Sequence, residues 1–117
     1  MTFEKIKKIA LALPGATYDV KWGADRCFSV GGKMFCVAGH EGNAKPRLTL
    51  KVSDASFQML CDEGVAEPSP YLGRYKWVTF KGPDSVPDDQ LAAYIKTAHA
   101  LVAAKLPGKE RKALGIG

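Results

Sequence analysis

Residues 71–81 read YLGRYKWVTFK, with two of the four tyrosines, one of the two tryptophans, three basic side chains and no acidic one. From Arg74 the stretch alternates as a half-buried strand does. Arg74, Lys76, Val78 and Phe80 fall on one face, and Tyr75, Trp77, Thr79 and Lys81 on the other. This pattern predicts a central or near-central strand carrying cationic and aromatic groups together.

The flanking segments supply what such a strand needs. Upstream, Glu67-Pro68-Ser69-Pro70 is an extended connector. Before it, residues 53–62 predict a short helix capped by Ser53 or Asp54, with Phe57, Leu60 and Cys61 as its apolar side and Gly64 as its stop. Residues 45–52 predict a strand with Leu48, Leu50 and Val52 inward and Arg47, Thr49 and Lys51 outward, after a loop from His40 to Pro46. Residues 26–39, RCFSVGGKMFCVAG, predict a β-hairpin, because Gly31-Gly32 supplies the positive φ that a two-residue turn requires. Residues 16–25 read as irregular, with Trp22 folded back onto the core. Phe3, Ile6, Ile9, Ala10 and Leu13 recur at helical spacing behind Thr2 and stop at Pro14-Gly15. Downstream, Gly82-Pro83-Asp84 is a turn, and Ser85 to Asp88 has capping-box spacing. Leu91, Tyr94, Ile95, Ala98, Leu101, Val102 and Lys105 to Leu106 then trace one helical stripe, and residues 107–117 read as a frayed basic tail.

Helix, hairpin, strand, helix, strand, helix is the order of an α+β chain. Strands joined by short connections imply a largely antiparallel sheet, and three amphipathic helices imply a two-layer sandwich. The 117 residues suit one domain, 1–117, with 46% apolar and 25% charged content. Cys27, Cys36 and Cys61 are an odd count without CxxC spacing, which points to reduced core thiols rather than a disulfide framework or zinc site. Glu4 and the short apolar run at residues 9–13 do not make a signal peptide. No stretch approaches the roughly 18 apolar residues of a membrane span. A cytoplasmic protein without a membrane partner is expected.

The net charge of +5 is unevenly placed. Residues 21–52 carry six basic and two acidic groups, residues 53–70 four acidic and no basic ones, and residues 71–81 three basic ones. If the predicted strands adjoin, Lys33, Lys45, Arg47, Lys51, Arg74, Lys76 and Lys81 share one surface. Phosphate neutralisation requires that segregation, and Tyr75 or Trp77 would add stacking surfaces for bases.

The order and spacing of several short motifs resemble the MmcQ/YjbR family. These are Leu13-Pro14-Gly15, Gly31-Gly32-Lys33-Met34-Phe35, Leu50-Lys51, Pro70-Tyr71-Leu72 with Arg74 and Trp77, and the closing helix from Pro87 to Pro107. The resemblance spans nearly the whole chain. It implies a CyaY-like or secretion-chaperone-like α+β domain that binds DNA through a double-wing arrangement. On that view the Lys33 hairpin is one wing, and residues 74–77 add basic and aromatic groups. Gly73, Tyr75 and Val78 depart from the more polar or basic residues that members carry after the Tyr-Leu pair.

DNA is therefore the expected partner, with a protein-interaction or adaptor role on the exposed sheet face as the alternative. Catalysis is not expected. His40 reads as an exposed loop residue, His99 as a structural residue of the last helix, and Asp88-Asp89 as helix-start electrostatics. No cofactor or metal site is expected either, and Glu4 is the sole carboxylate of the first helix. The candidate nucleic-acid-binding residues are Lys33, Lys45, Arg47, Lys51, Arg74, Tyr75, Lys76, Trp77 and Lys81.

Overall fold

The computed structural model describes residues 1–70 and 72–116. Tyr71, which opens the 71–81 stretch, lies outside the described residues, as does Gly117. Six strands form one antiparallel sheet in the order β1-β2-β3-β4-β6-β5. They are β1 (Ala16–Lys21), β2 (Asp25–Val30), β3 (Lys33–His40), β4 (Thr49–Lys51), β5 (Ala66–Pro68) and β6 (Trp77–Phe80). The helices are α1 (Phe3–Leu11), α2 (Asp54–Asp62), α3 (Asp88–Ala103) and α4 (Gly108–Ala113). Helices pack on the sheet as the second layer of an α+β sandwich.

The expected hairpin is present. Gly31 and Gly32 take φ of 58° and 78°, and Val30 pairs with Lys33 across the turn. The partner register jumps from Phe28–Cys36 to Ser29–Met34, so Phe35 is the extra residue of a bulge. That bulge lets Phe35 meet His99 of α3 edge-on at 5.3 Å while Cys36 and Ala38 are also buried. Along residues 47–52, which include β4, Leu48, Leu50 and Val52 enter the core and Arg47, Thr49 and Lys51 do not. Thr2 and Ser53 cap α1 and α2 through their hydroxyl oxygens. Phe28, Phe35, Phe80, Ile6, Leu50 and Ile95 are fully buried. Each contributes roughly 1.5–3 kcal/mol against exposure.

Five local expectations, Trp22 among them, are corrected, and one is refined. Residues 16–21 are not irregular but form edge strand β1, in register with β2 from Ala16–Val30 to Lys21–Asp25. The extended connector includes a short ladder, β5 against β6. The strand at residues 74–81 begins only at Trp77. Gly73–Tyr75 is a 3₁₀ turn, and Lys76 closes it at φ 65° with its amide donating to the Gly73 carbonyl. Arg74 and Tyr75 therefore leave the strand faces, while Trp77 and Thr79 lie opposite the core residues Val78 and Phe80. Ser85 does not cap α3; its hydroxyl closes the turn on Gly82. Finally, residues 108–113 are helical, not frayed, and Leu114 and Ile116 pack on the core because Gly15 leaves room for Leu114.

Trp22 does not fold back. It sits at the tip of the β1–β2 hairpin, 70% exposed, with φ of 51°. The tip is the turn Trp22-Gly23-Ala24, which carries positive φ at its first two residues. That geometry throws the indole off the end of the hairpin.

Candidate nucleic-acid interface

The helices pack on one face of the sheet and leave the other bare of helices, although Cys27 and Trp77 on it are still buried. Across the bare face the register lines up Asp19, Cys27, Val37, Thr49, Thr79 and Glu67, one from each strand. Two residues along from Thr49 and Thr79 the same face carries Lys51 and Trp77, which are register partners. There the sheet ends, and the C-terminal end of α3 meets the start of β3.

This end holds a cleft of about 470 Å³. Its floor is apolar: Trp77 and Val102 are buried, and Met34 and Leu72 are half-buried. Tyr75 forms a wall and is 52% exposed. Lys33, Lys51 and Lys105 also line the cleft, and among the described residues no carboxylate lines it. Lys51 Nζ donates to the Tyr75 carbonyl at 2.6 Å, which ties β4 to the 3₁₀ turn. Burial, and next the like charge of Lys105, hold the Lys51 ammonium below the ordinary lysine range, with Asp54 opposing them. The Arg74 guanidinium lies over the Tyr75 ring, 4.9 Å from its centroid. An apolar, aromatic floor with cations at its rim suits an anion that carries a flat ring.

Of the nine candidate residues, four line this cleft: Lys33, Lys51, Tyr75 and Trp77. Arg74 joins them through Tyr75. Trp77 is 6% exposed, so it supports the cleft from below rather than offering a free stacking face. The others lie elsewhere. Lys45 Nζ is 2.9 Å from Asp84 Oδ2, a contact that raises the lysine pKa. Lys76 Nζ lies over the Phe57 ring of α2 at 4.8 Å. Lys81 is exposed beyond the far end of β6, about 13 Å of strand from Trp77. Arg47 lines a different depression, with Asp25 and His40.

Lys105 completes the lysine rim and is absent from the nine. It belongs to the turn after α3, where the sequence pattern places it with Leu106 at the end of the apolar stripe, and helical phase alone does not reveal that this turn abuts β3 and β4. The three cysteines are free; Cys27 and Cys36 are buried, and burial pushes both thiols up. Among the described residues no three His, Cys, Asp or Glu side chains converge as metal ligands. No helix there is long and apolar enough to cross a membrane.

Residues 11–101 match the YjbR family model, from the end of α1 through most of α3. The chain belongs to the YjbR family. No curated protein matches it. The family match takes in Lys33, Lys51, Tyr75 and Trp77 and stops before Val102 and Lys105, so the YjbR segment supplies most of the cleft and the residues after it complete the rim.

Proposed function

We propose that this YjbR domain is a non-catalytic DNA-binding protein that holds a short length of strand in the cleft at the sheet end. The observation that carries this reading is the lysine trio, Lys33, Lys51 and Lys105, set around an aromatic floor with no carboxylate among the lining residues. The lysines would neutralise successive phosphates. Tyr75, half-exposed and backed by Arg74, would stack on one base. A base inside a duplex cannot reach such a wall, so single strands are the preferred substrate. So small a cluster supports weak, salt-sensitive binding rather than sequence readout. The free, buried thiols agree with a reducing compartment such as the cytoplasm.

The test is fluorescence anisotropy of labelled single- and double-stranded oligonucleotides at low and moderate salt. Micromolar binding that favours the single strand and weakens with salt is expected. A folded Lys33→Ala/Lys51→Ala/Lys105→Ala variant should lose it. No binding at low salt up to about 100 µM protein, the weak end of non-specific affinities, overturns the reading.

One observation favours a protein partner as the second reading. Trp22 stands exposed beside edge strand β1, where an added strand could pair. Pull-downs lost in Trp22→Ala and kept in the triple lysine variant would select it.

A further inference from the structure

The second depression on the bare face, about 300 Å³, lies between the start of β2, the end of β3, the start of β4 and the middle of β6. Three features build it. Gly39 takes φ of 64°, and a Cβ there would meet Pro46 Cβ at 2.9 Å, so only glycine lets the 41–46 loop fold this close. Arg26, buried beneath the loop, donates to the Ala38 carbonyl at 3.0 Å and to the Asn43 carbonyl at 2.7 Å, which fixes the loop against the sheet. Cross-strand pairing then sets His40 beside Asp25, with Nδ1 2.8 Å from Oδ1.

The polar inventory of the depression is weighted toward donors. The Asp25 carboxylate is engaged by His40, which fixes the imidazole with Nε2 free of that contact. Asn43 Oδ1 accepts from the Lys45 amide at 3.1 Å, so the two N–H bonds of its side-chain amide remain available. The hydroxyls of Thr49 and Thr79 are 2.9 Å apart. One must donate to the other, and the accepting hydroxyl keeps its own proton for a third partner. The exposed Arg47 guanidinium adds a planar fork of donors that matches two oxygens of an oxyanion.

We infer that this depression is a binding site for the phosphate group of a small phosphomonoester. Arg47 takes two oxygens, and the Asn43 amide and a threonine hydroxyl take the others. His40, held by Asp25, faces the same group from β3. The charged groups around His40 are Asp25 on β2, Lys21 opposite Asp25 on β1, Glu41 next to it in the chain, and Arg47 before β4. The site stands apart from the lysine cleft and does not depend on DNA being bound there.

The test is an NMR titration of the ¹⁵N-labelled protein with inorganic phosphate, phenyl phosphate and acetate. Saturable shifts are expected at Gly39, His40, Asn43, Thr49 and Thr79 with both phosphates, and much weaker ones with acetate. Arg47→Ala should weaken phosphate binding by about tenfold, the loss of a charge-assisted pair. Arg47→Lys, which keeps the charge but not the fork, should restore only part of it. Lys51→Ala/Lys105→Ala should leave it unchanged. Shifts that stay linear up to about 50 mM phosphate, shifts confined to the lysine cleft, or equal response to acetate each overturn the proposal.

Discussion

Two groups of cations in this molecule look alike as residues and behave differently as structure. Near the start of α3, Lys45 and the Met1 ammonium each lie 2.9 Å from an oxygen of Asp84, and Lys5 Nζ lies 2.9 Å from Asp88. At the sheet end, Lys33, Lys51 and Lys105 surround a cleft that no carboxylate of the described residues lines. The first group holds its charge in pairs within the fold, fastening α1 and the 41–46 loop to the turn before α3 and to its first residue, Asp88. The second carries its charge at an open cleft, and burial and mutual repulsion there lower the pKa of Lys51. A lysine therefore counts toward a nucleic-acid footprint only after its carboxylate neighbours have been subtracted.

The contrast can be broken most forcefully by DNA binding. Lys51→Ala/Lys105→Ala should weaken single-strand affinity by about tenfold or more at low salt. It should also flatten the log–log salt slope by roughly 1.4, two phosphate contacts at about 0.7 each. Anisotropy over a salt series reads both. A slope unchanged in the double variant would mean that the cleft does not touch phosphates.

A middle-sized effect is expected in acid. Hydrogen bonds from Lys45 and then from the Met1 ammonium hold Asp84 at about 2, below its ordinary 3.8. Because the folded-state value is the lower one, the stability it contributes is present above about pH 4 and is lost as pH falls toward 2. In thermal melts between those limits, Asp84→Asn should show a shallower fall than the parent chain, and the two should converge at the acid end. Parallel curves would remove Asp84 from the fold's ionic framework.

The smallest effect sharpens the contrast from the other side. Lys45→Ala should leave DNA affinity within about twofold, since an exposed lysine already paired contributes little to a distant site. A loss as large as that of the Lys51/Lys105 variant would erase the distinction between the two groups.

The legible parts of the chain were those where one residue type forces one geometry. Gly31-Gly32 allowed little besides a tight hairpin, and the leucines and valine of residues 48–52 could face only inward. The family, too, was visible in the order of short motifs. Strand β1 does carry the period of a half-buried strand, Ala16, Tyr18 and Val20 alternating with Thr17, Asp19 and Lys21, but it is short and directly follows the Pro14-Gly15 stop, which masks it as a loop. Arg74 and Tyr75 kept the two-residue period of a strand by coincidence. A left-handed Lys76 breaks that period, and a lysine gives no sign of such a conformation. The nine candidate residues were dispersed for a related reason: alternation predicts which face a side chain takes, not how far along the sheet it lies. Lys105 and the Asp25–His40 pair join elements distant in sequence or staggered by a bulge, so only tertiary register brings them to their sites.

The two tryptophans lead to a practical end. Trp22 is 70% exposed at a hairpin tip, and Trp77 is 6% exposed on the cleft floor. Their emission is therefore separable, red-edge and open to iodide for the first, blue-edge and shielded for the second. In Trp22→Phe only the floor indole still glows, and the protein becomes an unlabelled optical gauge of whatever enters the cleft above it.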